Sequence, residues 1–202
     1  MAQKEYDVPV LEDHLPTPHL QRDVLAGVKS HPAKPELQKA LGFPGELVED
    51  WEAKAVEKLG ELLQKHRSLR VYLDSCVKCG ACTDKCQFFL GSGDPKNMPV
   101  ARQDLLRQVY RKYFTAAGKI APDLVGAKPL TREMLDEWYV YYHQCSQCRR
   151  CSLFCPYGID TAEISMAARE ILDHIGMGQK YTNEVILKCH QLGNNLGLNP
   201  AA

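Results

Sequence analysis

A mainly α-helical fold is predicted for this 202-residue chain from three observations. Apolar residues recur at three- and four-residue spacing in several segments, the mark of one-sided helices. No segment alternates apolar and polar residues over the length of a strand. Eight of the nine cysteines fall into two copies of one motif, Cys-x2-Cys-x2-Cys-x3-Cys, with 58 residues between the copies. Two short metal-binding elements set among helices fit that pattern.

Residues 1–44 hold six of the twelve prolines, five of them in "LPTPHL", "SHPAKPEL" and "GFPGE". Proline fixes φ and removes a backbone donor, so long helices and central strands are disfavoured. The expectation is an extended Pro-rich arm over 1–44, with one short helix near 20–30, preceding a domain over 45–202. From Glu46 to about Arg67, Leu47, Trp51, Ala55, Leu59 and Leu62 repeat at helical spacing, interrupted by Gly60. That predicts an amphipathic helix leading to the first cysteine motif.

"GSGDPKNMP" then reads as a loop, and Pro99 suits the first position of a helix. Val100, Leu105, Leu106, Val109 and Tyr113 mark that helix, which ends before Gly118. A second loop, "GKIAPDLVGAKP", follows. Thr131 is placed to cap a helix carrying Met134, Leu135, Trp138 and Tyr142. Beyond the second motif, Asp160 and Glu163 have the spacing of a capping box. Ile164, Ala168, Ile171 and Ile175 extend that helix to Gly176. A final helix is predicted from Thr182 to Leu192, stopped by Gly193.

Charge narrows the function classes. Twenty-five basic and twenty-five acidic side chains cancel, so nothing global points to nucleic acid or an anionic membrane. No apolar run reaches the roughly 18–20 residues of a membrane span. The first twenty residues lack the pattern of a secretory signal, so a cytoplasmic, reducing location is expected. There, clustered cysteines point to metal ligation rather than disulfides.

The motif copies are "SCVKCGACTDKCQ", with Cys76, Cys79, Cys82 and Cys86, and "QCSQCRRCSLFCPYG", with Cys145, Cys148, Cys151 and Cys155. Three thiolates at this spacing wrap one cubane while the fourth points to a second cluster, as in two-cluster ferredoxins. By that analogy one [4Fe–4S] cluster takes Cys76, Cys79, Cys82 and Cys155, and the other takes Cys145, Cys148, Cys151 and Cys86. Such interleaving ties the two halves together, so cluster loss is expected to unfold much of the domain. The rival is a pair of four-cysteine zinc sites in a module without a redox role. Proline follows Cys155 but glutamine follows Cys86, which makes the two environments unequal. Phe88 and Tyr157, two places beyond each fourth cysteine, are expected either to keep water from the clusters or to pack in the core.

"YYHQCSQCRRCSLFCPYGIDTAEI" (141–164), with "CVKCGACTDKC", closely resembles the C-type iron–sulfur subunit of heterodisulfide reductase and its counterparts in the heterodisulfide-reductase-like complexes of sulfur oxidisers. It also resembles the related K-type iron–sulfur subunit of a sulfite-reductase-associated membrane complex. The resemblance covers about residues 70–200. The helical spacer resembles the α-helical ferredoxin module of succinate dehydrogenase and fumarate reductase. The fold implied is an α-helical ferredoxin with two [4Fe–4S] clusters held by all eight motif cysteines. The role implied is electron transfer between a flavin-bearing A-type subunit and a catalytic B-type subunit with Cys-Cys-Gly motifs, in sulfur metabolism. The K-type relatives carry a further domain with adjacent cysteine pairs, absent from this sequence, which favours the C-type reading. The alternative is an iron–sulfur subunit of a glycolate- or glycerol-3-phosphate-type dehydrogenase feeding quinone.

No nucleophile–base pair and no G-x-G-x-x-G turn is present, and a four-thiolate cluster has no open position. A carrier rather than a catalyst is expected. Among the remaining residues, Cys189 reads as a buried structural thiol. His143 is expected to touch the second cluster at most through a hydrogen bond. Arg149 and Arg150 would make that cluster the easier to reduce, or simply face solvent or a partner. Arg102, Arg107, Arg111 and Lys112 read as a solvated face, with a docking surface as the alternative.

Overall fold

The computed structural model describes residues 47–179, together with the helical positions Thr182, Val185 and Cys189. The expected arm over 1–44 and most of the last predicted helix lie outside the described residues. Among the described residues there is no strand. The nine helices found there are α1 (Trp51–Lys65), α2 (Arg67–Ser75), α3 (Gln87–Ser92), α4 (Pro99–Phe114), α5 (Ala116–Ile120), α6 (Pro122–Val125), α7 (Arg132–His143), α8 (Arg150–Leu153) and α9 (Thr161–His174). Short 3₁₀ turns occupy Thr83–Lys85 and Pro95–Asn97.

Helix α9 is the hub, packed on α7, α1, α4 and α2. Its Ile164, Ala168, Ile171 and Leu172 are fully buried, and so are Leu59 and Leu62 of α1, Leu106 of α4, and Leu135, Trp138 and Tyr142 of α7. Each large apolar side chain removed from water in this way contributes about 1.5–3 kcal/mol. Trp138 and Tyr142 meet edge-on, with centroids 5.7 Å apart.

Three local signals behave as the residue types dictate. Pro99 opens α4. Thr131 Oγ1 accepts from the Met134 N–H, and Asp160 Oδ1 from the Ala162 N–H. The capping box at Asp160 is only half made, because Glu163 accepts from the Ser68 hydroxyl and ties α9 to α2.

Two elements differ from expectation. The predicted helix over 46–67 is α1 followed by a separate α2. His66 is extended at the junction (φ −114°, ψ 92°), with its N–H still bonded to Leu62 O. Helix α2 was missed because only Leu69 and Leu73 of its nine residues are buried, too few to reveal a period. The expected loop "GKIAPDLVGAKP" takes in the end of α5 and all of α6. There Gly118 has no room for a side chain, since a Cβ would lie 1.9 Å from Arg111 O.

The cationic face expected on α4 is also corrected. Arg102 and Arg107 are buried at 2% and 5% exposure. Arg111 donates to Val125 O and is half-buried, as is Lys112.

Candidate iron–sulfur centre

The two cysteine loops share one backbone trace. In the first, the residues two and four places after the leading cysteine, Lys78 and Gly80, have φ of 57° and 79°. In the second, the matching residues Gln147 and Arg149 have φ of 57° and 59°. Only glycine adopts this left-handed region without strain; another residue there costs roughly 1–2 kcal/mol. Strain repeated at equivalent positions is what loops bent around a bound group show. Space is not the constraint at Gly80, where a Cβ would meet only Thr83 Oγ1 at 3.8 Å. Gly80→Ala should therefore act through φ alone, costing about 1 kcal/mol and lowering Tm by about 2–4 °C. Gly91→Ala, inside α3 with open space at the Cβ, should raise Tm slightly, since alanine is the better helix former. Anaerobic thermal melts of both variants check the pair.

The loops face each other across two cavities. The first is lined by Cys76, Cys79, Cys82 and Cys155, with Gly80, Gln103, Pro156 and Tyr157 around them. The second is lined by Cys86, Cys145, Cys148 and Cys151, with Phe88, Arg102 and Arg149. Cys151 and Thr161 border both cavities and form the wall between them. The fourth cysteine of each motif thus stands with the first three of the other.

Contacts between the motifs hold this exchange. Gln87 Nε2 donates to Ser146 Oγ at 2.9 Å, linking the residue after Cys86 to the residue after Cys145. The Lys85 ammonium sits 5.0 Å from the centre of the Phe154 ring. The glutamine that replaces the expected proline is therefore a tie across the site.

The donor set fits iron–sulfur clusters. Among the described residues no three His, Cys, Asp or Glu side chains converge tightly enough for a single metal ion. A tetrahedral four-thiolate zinc site would bring its sulfurs to about 3.8 Å from one another, from Zn–S bonds of about 2.3 Å. Here the thiols are instead spread around two adjoining hollows, four motif cysteines to each with Cys151 on the shared wall, the arrangement of ligands to a polynuclear group. Burial pushes the Cys82 thiol up to about 11. Burial also raises Cys151, against hydrogen bonds with Thr161 and Ser152. Both sulfurs stay protonated without metal, and ligation as thiolates releases those protons.

The neighbours of the cavities depart from expectation in several places. Phe88 and Tyr157 do border the second and first cavities, but are 36% and 54% exposed. They stand at the rims instead of in the core. Arg149 lines the second cavity and pairs with Asp160, Nε to Oδ2 at 3.3 Å, while Arg150 is exposed. His143 lines neither cavity. Its Nδ1–H donates to Tyr139 O at 2.7 Å, and burial lowers its pKa. Cys189 is exposed, so the buried structural thiol is not observed.

The residue that sequence reading missed is Arg102. Its Nε donates to Tyr141 O at 2.9 Å, Nη2 to Asn97 Oδ1 at 2.8 Å, and Nη1 lies 3.5 Å from Cys86 Sγ. The available signal was its position, four residues before Leu106 on the buried stripe of α4. Arg169 on α9 plays a related part, donating to the carbonyls of Tyr142 and Cys145.

Residues 72–159 match a family described as a 4Fe-4S dicluster domain. The chain is similar to the Hdr-like menaquinol oxidoreductase iron-sulfur subunit 2 of Archaeoglobus fulgidus, with 51% identity over 76% of this chain and 28% of that protein. It is 49% identical to the Hdr-like menaquinol oxidoreductase iron-sulfur subunit of Archaeoglobus profundus, over 75% of this chain and 27% of that protein. It is 32% identical to the D subunit of the dihydromethanophenazine:CoB–CoM heterodisulfide reductase of Methanosarcina barkeri, over 52% of this chain and 25% of that protein. The chain therefore spans about a quarter of the length of the relatives it matches. No solved structure matches it.

Proposed function

This chain belongs, through residues 72–159, with the 4Fe-4S dicluster proteins of the heterodisulfide-reductase-like family, and on that premise we propose that it is an electron-transfer subunit of such a complex. The observation that carries this reading is the exchange of fourth cysteines. Cys155 stands with the first motif and Cys86 with the second, around two adjoining cavities. In this proposal Cys76, Cys79, Cys82 and Cys155 hold one [4Fe–4S] cluster, and Cys145, Cys148, Cys151 and Cys86 hold the other. When bound, such clusters each accept and pass on one electron without binding substrate.

The protein's own residues do the rest. The left-handed positions bend the loops, Gln87 and Ser146 fix one loop to the other, and the shared wall at Cys151 and Thr161 keeps the two sites adjacent. Six of the ten large apolar side chains exposed among the described residues (Val77, Phe88, Leu90, Leu153, Phe154 and Tyr157) lie on the cysteine loops and α3. Apolar side chains gathered around redox sites suit docking of neighbouring subunits.

The partners in this reading are a flavin-bearing A-type subunit and a catalytic B-type subunit with Cys-Cys-Gly motifs, in cytoplasmic sulfur metabolism. The domain is taken as residues 45–202, with 1–44 as an arm. Among the described residues no helix is long and apolar enough to cross a membrane. A second reading draws on the 51% identity to a menaquinol oxidoreductase subunit: electrons come from a quinol-linked membrane subunit instead of a flavin.

The test is anaerobic purification of the full chain with its partners. About eight irons and eight sulfides per chain are expected for two cubanes, with brown absorption that bleaches on dithionite. Zinc in place of iron would end the proposal. A flavoprotein among the copurifying subunits supports the first reading of the donor, and a membrane quinol-reactive subunit the second.

A further inference from the structure

We propose that Arg102 is a positioning residue that raises the reduction potential of the cluster in the second cavity above that of its neighbour, an inference that rests on the ligand sets assigned under the proposed function. Arg102 is 2% exposed, and its three partners are Tyr141 O, Asn97 Oδ1 and Cys86 Sγ, with no carboxylate among them. A buried guanidinium without a carboxylate is costly unless a counter-charge arrives. A thiolate at Cys86 supplies it.

The contacts also say what the arginine does for the sulfur. In the thiol form Cys86 Sγ donates to Asn97 O at 3.5 Å. As a cluster ligand that sulfur would have no proton to give the carbonyl. The Nη1–H of Arg102 is the donor that keeps the sulfur in place. Fixed at two other corners by Tyr141 O and Asn97 Oδ1, the planar fork cannot swing away. One-electron reduction adds one negative charge to a cluster, and a nearby donor and positive charge favour that state.

No arginine lines the first cavity, and the half-buried Arg111, which feels Cys76, is held away from it on Val125 O. The first cavity's charged neighbour is Lys78, 53% exposed at the side chain and already paired with Asp104. At the second cavity Lys85 and Arg149 are likewise paired, with Asp84 and Asp160. Arg102 is therefore the buried charge beside the second cavity that no carboxylate offsets. Arg169, whose acceptors there are the carbonyls of Tyr142 and Cys145, adds to the same field.

The experiment is an anaerobic redox titration of the full chain, followed by electron paramagnetic resonance, with Arg102→Gln, Arg102→Lys and Cys148→Ser beside the wild type. Arg102→Gln should lower the reduction equilibrium constant of the higher-potential cluster at least tenfold, about 59 mV for one electron, and leave the other midpoint in place. The affected resonance should be the one that Cys148→Ser perturbs. Arg102→Lys, which keeps the charge but not the fork, should give a smaller shift in the same direction. It is the arm that decides if Arg102→Gln loses iron. Lysine-variant midpoints and spectra identical to wild type overturn the inference. So do a movement of the lower midpoint, an equal movement of both, or a shift in the resonance that Cys148→Ser leaves untouched. A wild-type protein without iron would instead defeat the ligand reading, before any arginine variant is made.

Discussion

Serine at position 155 should disable the cluster whose other three ligands lie in the opposite motif. Cys155→Ser is expected to reduce bound iron from about eight to about four atoms per chain. Its residual spectrum should match that of Cys79→Ser and differ from that of Cys148→Ser. The reciprocal variant, Cys86→Ser, should match Cys148→Ser. The expectation follows from the cavities: Cys79 and Cys155 line the first, and Cys148 and Cys86 the second. Cys151 is unsuitable for the comparison because it borders both. If Cys155→Ser and Cys148→Ser leave the same cluster behind, each motif serves its own cluster and the exchange is wrong.

The readable and unreadable parts of this molecule divide on physical grounds. Helices α4, α7 and α9 bury a stripe at regular spacing and begin at Pro99, Thr131 and Asp160, so periodicity and capping chemistry both announce them. Helix α2 is nine residues long, buries only Leu69 and Leu73 and has no side-chain cap, and its boundary with α1 is one extended residue, His66. Nothing local in the sequence marks such a break. The cysteine motifs were legible because ligand spacing is a local property of the chain. Their pairing across the chain was inferred by analogy, and it depends on helices α4 and α7, which carry one loop back to the other.

Arg102 was the least legible. A residue type that is usually solvated occupied a position on the apolar stripe, and the charged residues near it on α4 made a solvated face the simpler reading. Its acceptors are two main-chain or amide oxygens and a sulfur, contributed by separate segments. Only the folded chain brings them together. Such a conflict between local preference and position is where a functional residue is expected.

Stripping the clusters should unravel the cysteine segments and spare the helical hub. Between Tyr142 and Ile159 no residue is buried, and from residue 76 to 96 only Cys86 is. These stretches have almost no apolar core of their own, so their order rests on the bound metal and on ties such as Gln87 to Ser146. The hub is different. Leu59, Leu62, Leu106, Leu135, Trp138, Ile164, Ile171 and Leu172 form one buried cluster, against which only Cys76 and Cys155 of the motif cysteines pack, both partly buried. The broad unfolding expected from motif interleaving is accordingly narrowed to the loops. Hydrogen exchange after anaerobic chelation, with thiols kept reduced, should show protection lost over residues 76–98 and 144–158. Protection should be retained in α1, α4 and α9. Loss of protection in α9 to the same extent would show that the hub, too, depends on iron. Unchanged protection in both cysteine segments would show that the loops hold their shape without metal, and that their left-handed residues are not bent by what they bind.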